Sequence, residues 1–310
     1  MILFLVVQSV SAQRLQFERL GIEQGLSQST VFSVTQDSAG FLWIGTLDGL
    51  NRYDGNSFKV YKHHPGDTNS IAANSFYRLY PLQDGSIAAS TLNSQINIIS
   101  TTSPNIKRLN TLAAGDPLGK QTVSRAMVQD SSGCFWVGTD NGIIKYSNDF
   151  SIRQDFVLPD DKRNESIVFD LFCYRNKKII GSMYNRLVII DMTTDRVSFI
   201  PVVKNRPMEM REVFLRWAAV SDSLFLIGGD PSGIYIYDVD RDTIRMLPSL
   251  PNLKQRFAFT LTYTAMFDHE GALWIGTDNG LVNVRLSIVK GMPVISDMVV
   301  YRNDPADPKS

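Results

Sequence analysis

Short runs of β-branched and aromatic residues alternate with clusters of Gly, Asp, Asn and Ser along most of the chain, which predicts strands separated by tight turns. The first such set is the clearest. Thr30–Thr35 is rich in Val, Phe and Thr, a composition suited to a pleated strand. Asp37-Ser38-Ala39-Gly40 is turn chemistry, because Asp can bond its own backbone and Gly can take positive φ. Phe41–Ile44 is apolar at every position, and so predicts a strand covered on both faces, or a buried helix segment, rather than a strand half open to water. Asp48-Gly49 predicts a type I′ hairpin turn, with Leu50–Tyr53 and Ser57–Tyr61 as the third and fourth strands. No stretch shows helical periodicity beyond about two turns.

This set is written three times. Asp37 to Leu50 returns as Asp130 to Ile143 and as Asp268 to Leu281, keeping Asp-x-x-Gly-x-φ-Trp-φ-Gly-Thr-x-x-Gly-φ, where φ is apolar. Trp136 follows Trp43 by 93 residues and Trp274 follows Trp136 by 138. Those intervals are two and three units of about 46, within the range of propeller blades. Weaker copies fall in the intervals, at Gly85–Ser90, Lys178–Gly181 and Leu224–Gly228. Asn141-Gly142 and Asn279-Gly280 repeat the turn of Asp48-Gly49 and predict the same type I′ geometry. The fold class expected is all-β: a β-propeller of four-stranded antiparallel blades, six units being present. The units lie near 27–70, 71–117, 118–163, 164–208, 209–255 and 256–302, within a propeller spanning 13–310.

The ends carry further expectations. Ile2–Val7 is apolar and Ser9–Ala12 is small, so residues 1–12 read as a secretory signal peptide, although no Lys or Arg precedes Arg14. Val60–Ser70 resembles Val300–Ser310, as if the chain stopped where a seventh unit should begin, leaving an incomplete, open or strained ring. Leu15–Leu20 reads as a stray strand able to complete a last blade.

Composition narrows the chemistry. Lys plus Arg and Asp plus Glu each number 31, so nothing points to a nucleic-acid surface. Cys134 and Cys173 occupy different strand positions and are expected as free, buried, small apolar residues. His63, His64 and His269 fall in loops, without the spacing of a metal site. Asp37, Asp130 and Asp268 recur with the repeat, which favours turn capping over catalysis, and the recurring Trp43, Trp136 and Trp274 are expected to be core wedges. No carboxylate pair stands out for glycoside chemistry; Asp67, Asp160, Asp161 and Glu209 lie off the repeat but share no motif. No cofactor and no catalytic residue is expected.

Function should reside in what breaks the repeat. Arg78 and Arg216 occupy the inner-strand position of Ser33, three units apart, and Arg125 lies one position earlier in its unit. With Tyr77 and Trp217 beside them, they form a candidate ligand site at the central channel. Guanidinium would take a carboxylate or sulfate, and the flat rings a sugar or a cation. The bland alternative is a set of Arg–Asp pairs that join blades.

The thrice-written segment resembles the two-component regulator propeller repeat, as do Phe17–Val31 and the connector ending Asn69-Ser70. That resemblance implies a periplasmic sensor region of a hybrid two-component system, of the kind found in glycan-degrading Bacteroidota-type bacteria. A full-length member of that family carries two seven-blade propellers, a small β-sandwich, a membrane helix and a histidine kinase. The expected partners are then an oligosaccharide or other small ligand, the rest of the sensor kinase and a second protomer. Competing expectations are a protein-binding scaffold and a propeller lyase or glycosidase.

Overall fold

The computed structural model describes residues 18–93, 95–103, 105–111, 122–158, 166–201, 213–230, 233–250 and 262–302. Residues 1–12, expected as a signal peptide, lie outside them, as does Leu15–Phe17 of the expected stray strand; Glu18–Leu20 join no strand. Among the described residues there are six four-stranded antiparallel sheets, and the one helical element is the 3-10 turn Ile22–Gln24. The protein is an all-β propeller, as the period predicts.

In blade one the strands are Val31–Gln36, Leu42–Thr46, Gly49–Tyr53 and Phe58–Tyr61, paired in chain order from the axis outward. The other blades repeat this plan. Their inner strands are Phe76–Pro81, Ser124–Gln129, Asp170–Tyr174, Val213–Ala219 and Thr262–Phe267, and from blade one to blade six each inner strand packs against that of the preceding blade. Burial on both faces of the second strand is realised most fully in Ile87–Thr91 and Phe135–Thr139, every residue of which is buried.

Each of the three strong repeats is locked by one hydrogen bond. Trp43 Nε1 donates to Asp37 Oδ2 at 2.8 Å, Trp136 to Asp130 at 2.8 Å and Trp274 to Asp268 at 2.6 Å. The other carboxylate oxygen of each Asp caps its turn, accepting from Ala39 and Phe41, from Ser132 and Cys134, and from Glu270 and Ala272. The indole then stacks on an aromatic ring of its own fourth strand: Tyr61, Phe156 or Tyr301, at 5.6, 5.6 and 5.8 Å between centroids. Turn capping was legible; the indole bond that joins it to the core was not.

The next blade packs across a glycine. A Cβ on Gly45 would come within 3.0 Å of Phe76, on Gly138 within 2.8 Å of Val168 and on Gly228 within 2.6 Å of Thr262, each at the start of the following blade. Glycine is therefore required there for close approach, not for backbone freedom.

The hairpin between second and third strands differs from expectation. Thr46 pairs with Gly49, Thr139 with Gly142 and Thr277 with Gly280. The two residues between them, Leu47-Asp48, Asp140-Asn141 and Asp278-Asn279, have no positive φ; only the glycines do, between 112° and 128°. These are not type I′ turns, which need positive φ at both central positions. A threonine hydroxyl holds them instead. Its Oγ1 accepts from Asp48, Asn141 or Asn279 N–H at 3.1 Å, and donates to the glycine carbonyl at 2.9, 3.0 or 2.7 Å.

The series of blades has two differing end faces. Trp43 and Trp136 are buried between blades, whereas Trp274 is partly exposed. Met266, paired with Trp274, is 61% exposed, while its counterpart Val128, paired with Trp136, is buried. On blade one, Val34 is 55% exposed.

Cys134 and Cys173 are free, as expected, but partly exposed rather than buried. Cys173 Sγ lies 3.5 Å from Asn176 Oδ1 and 3.8 Å from Met192 Sδ, at the turn end of its strand, where packing is incomplete.

Asp130→Ala is expected to cost about 3 kcal/mol in urea unfolding, because the buried indole N–H and two backbone N–H groups lose their acceptor. The Trp274 indole bond, then the Ala272 N–H, hold the Asp268 carboxyl below the usual carboxylate range. Its contribution is complete above the ordinary carboxylate pKa and lost as pH falls through the lowered value. Asp268→Asn should therefore destabilise at neutral pH, with the difference from wild type shrinking in acid denaturant titrations.

Candidate functional site

Five of the six inner strands carry a register irregularity or an unpaired residue near their entry, and in four of them it falls at one repeat position. Val31 pairs with Thr46 and Ser33 with Gly45, leaving Phe32 as the extra residue. Tyr77 is extra in blade two, Arg125 in blade three and Tyr263 in blade six. A bulge frees a side chain from the ladder and re-aims it. Phe32, Arg125 and Tyr263 accordingly line the mouth of the central channel, a cavity of about 720 Å³ that also takes in Arg78 and Asp170. Blade four has no such shift, and Asp170 pairs regularly with Ser182.

Three of the five candidate residues come together. Arg78 stands at the Ser33 position, paired with Ser90 as Ser33 is with Gly45. Its Nε donates to the Arg125 carbonyl at 3.0 Å, joining blades two and three, and its guanidinium lies 4.8 Å from the centre of the Tyr77 ring. Arg125 Nε pairs with Asp140 Oδ1, and Arg125 Nη1 donates to the Tyr77 hydroxyl at 3.3 Å. The Arg125 guanidinium also faces the rings of Tyr77 and Phe169, at 5.6 and 5.8 Å. Burial alone would lower the Arg125 pKa, but the Asp140 hydrogen bond and charge outweigh it and hold the guanidinium above its ordinary value. Arg216 and Trp217 lie in the inner strand of blade five, three blades from Arg78, and their side chains lie outside the described residues.

Sequence reasoning missed Asp140, Phe169 and Phe32. Phe32 packs on Tyr77 at 5.8 Å, and Phe169 meets Tyr184 edge-on at 4.8 Å. The result is a collar of aromatic rings across blades one, two and four, interrupted by two guanidinia. One signal was available: Phe32, Tyr77, Arg125 and Tyr263 share a repeat position, so a column of the repeat that varies between aromatic and basic marks the channel mouth. Asp140 had no such signal, because it becomes a partner only through the fold of the hairpin.

The remaining candidates are dispersed. His64 and His269 are exposed; His63 is half-buried, with Nδ1 2.7 Å from the Ile71 carbonyl. Asp160, Asp161 and Glu209 lie outside the described residues. Among the described residues no group of three His, Cys, Asp or Glu side chains could hold a metal ion, and no helix is long and apolar enough to cross a membrane.

The model of the two component regulator propeller matches residues 25–48 and 117–141, so the chain carries repeats of that family. A 48-residue stretch is 54% identical to Histidine kinase P4 of Formosa agariphila, covering 16% of this chain and 4% of that protein. Among solved structures, the extracellular domain of the hybrid two component system BT3049 of B. thetaiotaomicron aligns over 84% of this chain and 40% of that one, with 19% identity and a TM-score of 0.55. Virginiamycin B lyase of Staphylococcus aureus aligns over 88% and 84%, with 12% identity and a TM-score of 0.63. At such identities these structures establish the propeller fold alone. The chain spans less than half of the sensor ectodomain and a small fraction of the kinase it matches.

The Arg125–Asp140 pair is partly buried on both sides, at 24% side-chain exposure each. A double-mutant cycle with Arg125→Met and Asp140→Asn is expected to give a coupling of about 1 kcal/mol in chemical unfolding. Additive losses would mean that the pair does not act as a unit.

Proposed function

We propose that this chain, with its two-component regulator propeller repeats, is the exported, periplasmic ligand-sensing domain of a hybrid two-component receptor. Its ligand is a glycan-derived oligosaccharide, held at the channel mouth by Tyr77, Arg78 and Arg125, with Arg216 and Trp217 from the opposite side of the ring. Propellers commonly use the end of the axis, where variable positions of every blade meet on an invariant frame. The single observation that carries the reading is the bulge column. In four blades the extra residue falls at one repeat position and is Phe32, Tyr77, Arg125 or Tyr263, and three of these, Phe32, Arg125 and Tyr263, line the channel cavity.

The chemistry is that of carbohydrate recognition. Rings offer flat apolar faces to the C–H side of a sugar, and guanidinia donate in pairs to hydroxyl or carboxylate oxygens. Arg125 is held in place by Asp140 and Tyr77, so little side-chain entropy is lost when a ligand docks. Ligand binding there would bias a kinase only by favouring one arrangement of the receptor over another, through domains and a second protomer that pack against the propeller. Catalysis forms no part of this role.

Calorimetry against a panel of plant and algal oligosaccharides is expected to find binding without release of new reducing ends or unsaturated products. Arg78→Ala combined with Arg216→Ala should weaken the best ligand at least tenfold. Unchanged affinity in the double variant would place the ligand elsewhere, and product release would replace the sensor with an enzyme.

A further inference from the structure

Away from the channel, between blades one and two, lies a second polar cavity of about 370 Å³. Its floor is blade one: Trp43, Arg52, Lys59 and Tyr61. Its rim is Asn69 of the connector and the hydroxyl-rich hairpin Ser100-Thr101-Thr102-Ser103 of blade two. No carboxylate lines it.

Two features of the floor are unusual. The Arg52 side chain forms no hydrogen bond or ion pair with any described residue, and its Nε is buried without an acceptor. Its guanidinium carbon lies over Phe41, 3.6 Å from the ring centre, a contact that uses none of its N–H donors. Five donors on a planar fork seldom remain unmatched in a folded protein, because a buried donor without an acceptor is costly. Secondly, Arg52 pairs directly across the ladder with Lys59. Like charges facing each other on neighbouring strands destabilise a sheet. The repeat avoids this elsewhere: Lys145, at the Arg52 position of blade three, faces Gln154, and Asn283 of blade six faces Val299. Lys59 also makes no ion pair among the described residues, and its ammonium lies 5.0 Å from the Tyr61 ring centre.

We propose that this cavity is a binding site for an anionic sugar unit, one that carries a carboxylate or a sulfate group. The oxoanion sits between Arg52 and Lys59, meeting the guanidinium edge in bidentate fashion and relieving the repulsion between the two cations. The ring of the sugar lies toward Tyr61, and its hydroxyls reach Asn69 and the Ser100–Ser103 hydroxyls. The volume suits one or two sugar residues. The site is separate from the channel mouth and does not depend on the reading of the channel.

The test is titration calorimetry on this chain with digalacturonate, galactose 6-sulfate, lactose and inorganic sulfate, at low and at physiological salt. At least one of the two anionic sugars is expected to bind ten or more times tighter than lactose and than inorganic sulfate, more weakly at higher salt. Arg52→Gln should weaken it at least tenfold, and Arg285→Ala, which removes an exposed cation of blade six remote from both cavities, should leave it unchanged. Lys59→Glu keeps a separate readout, because Lys59 is exposed and the change puts opposite charges across the ladder: thermal unfolding should shift upward while the anionic sugar no longer binds. The proposal is overturned if neither anionic sugar binds at millimolar concentration, if lactose or inorganic sulfate binds as tightly, or if Lys59→Glu retains full affinity.

Discussion

Blades one, three and six depend on the contact between an aspartate in one turn and the indole of a tryptophan six residues later. Burying a large indole between blades supplies apolar area, but its N–H must have an acceptor inside. The turn Asp provides it with one carboxylate oxygen and fastens the turn with the other. Local chain reversal and inter-blade packing thereby become one unit. Because the Asp, the Trp and the glycine two residues further on act together, they appear together in every strong repeat.

That unit also explains why erosion of the repeat is tolerated. Blade two replaces the glycine with Ser90, whose hydroxyl donates across to the Ser124 carbonyl of blade three at 2.9 Å, so a polar bridge takes over from close apolar approach. Blades four and five keep glycine at 181 and 228 but lack the Trp, and bury Ile179, Ile180, Leu226 and Ile227 in their second strands instead. A propeller tolerates such variety because each blade needs only to match its two neighbours.

The same division separates the periodic scaffold from the residues that depart from it. Around the axis, bulges carry the variable residues to a shared mouth; on the flank, a cation pair on blade one departs from what other blades place at that position. Both are exceptions laid on a periodic frame. In each, an arginine guanidinium lies close to aromatic rings, Arg52 over Phe41 and Arg125 beside Tyr77.

The number and kind of strands, the blade period, the capping role of Asp37, Asp130 and Asp268, and the core place of Trp43 and Trp136 were all written in local pattern, because they depend on residues within a few positions of one another. Arg78 and Arg125 were legible as departures from the repeat, but their juxtaposition was not, nor was Asp140 as the partner of Arg125. Tertiary structure alone decided those, since they join separate turns and blades. It also decided against type I′ geometry: the Asp-Gly and Asn-Gly pairs suggested it, but the ladder register and a threonine hydroxyl set the turn one residue earlier. Sequence records what is repeated, because repetition is local; which exceptions meet in space depends on how the blades rotate about the axis, and no stretch of chain contains that.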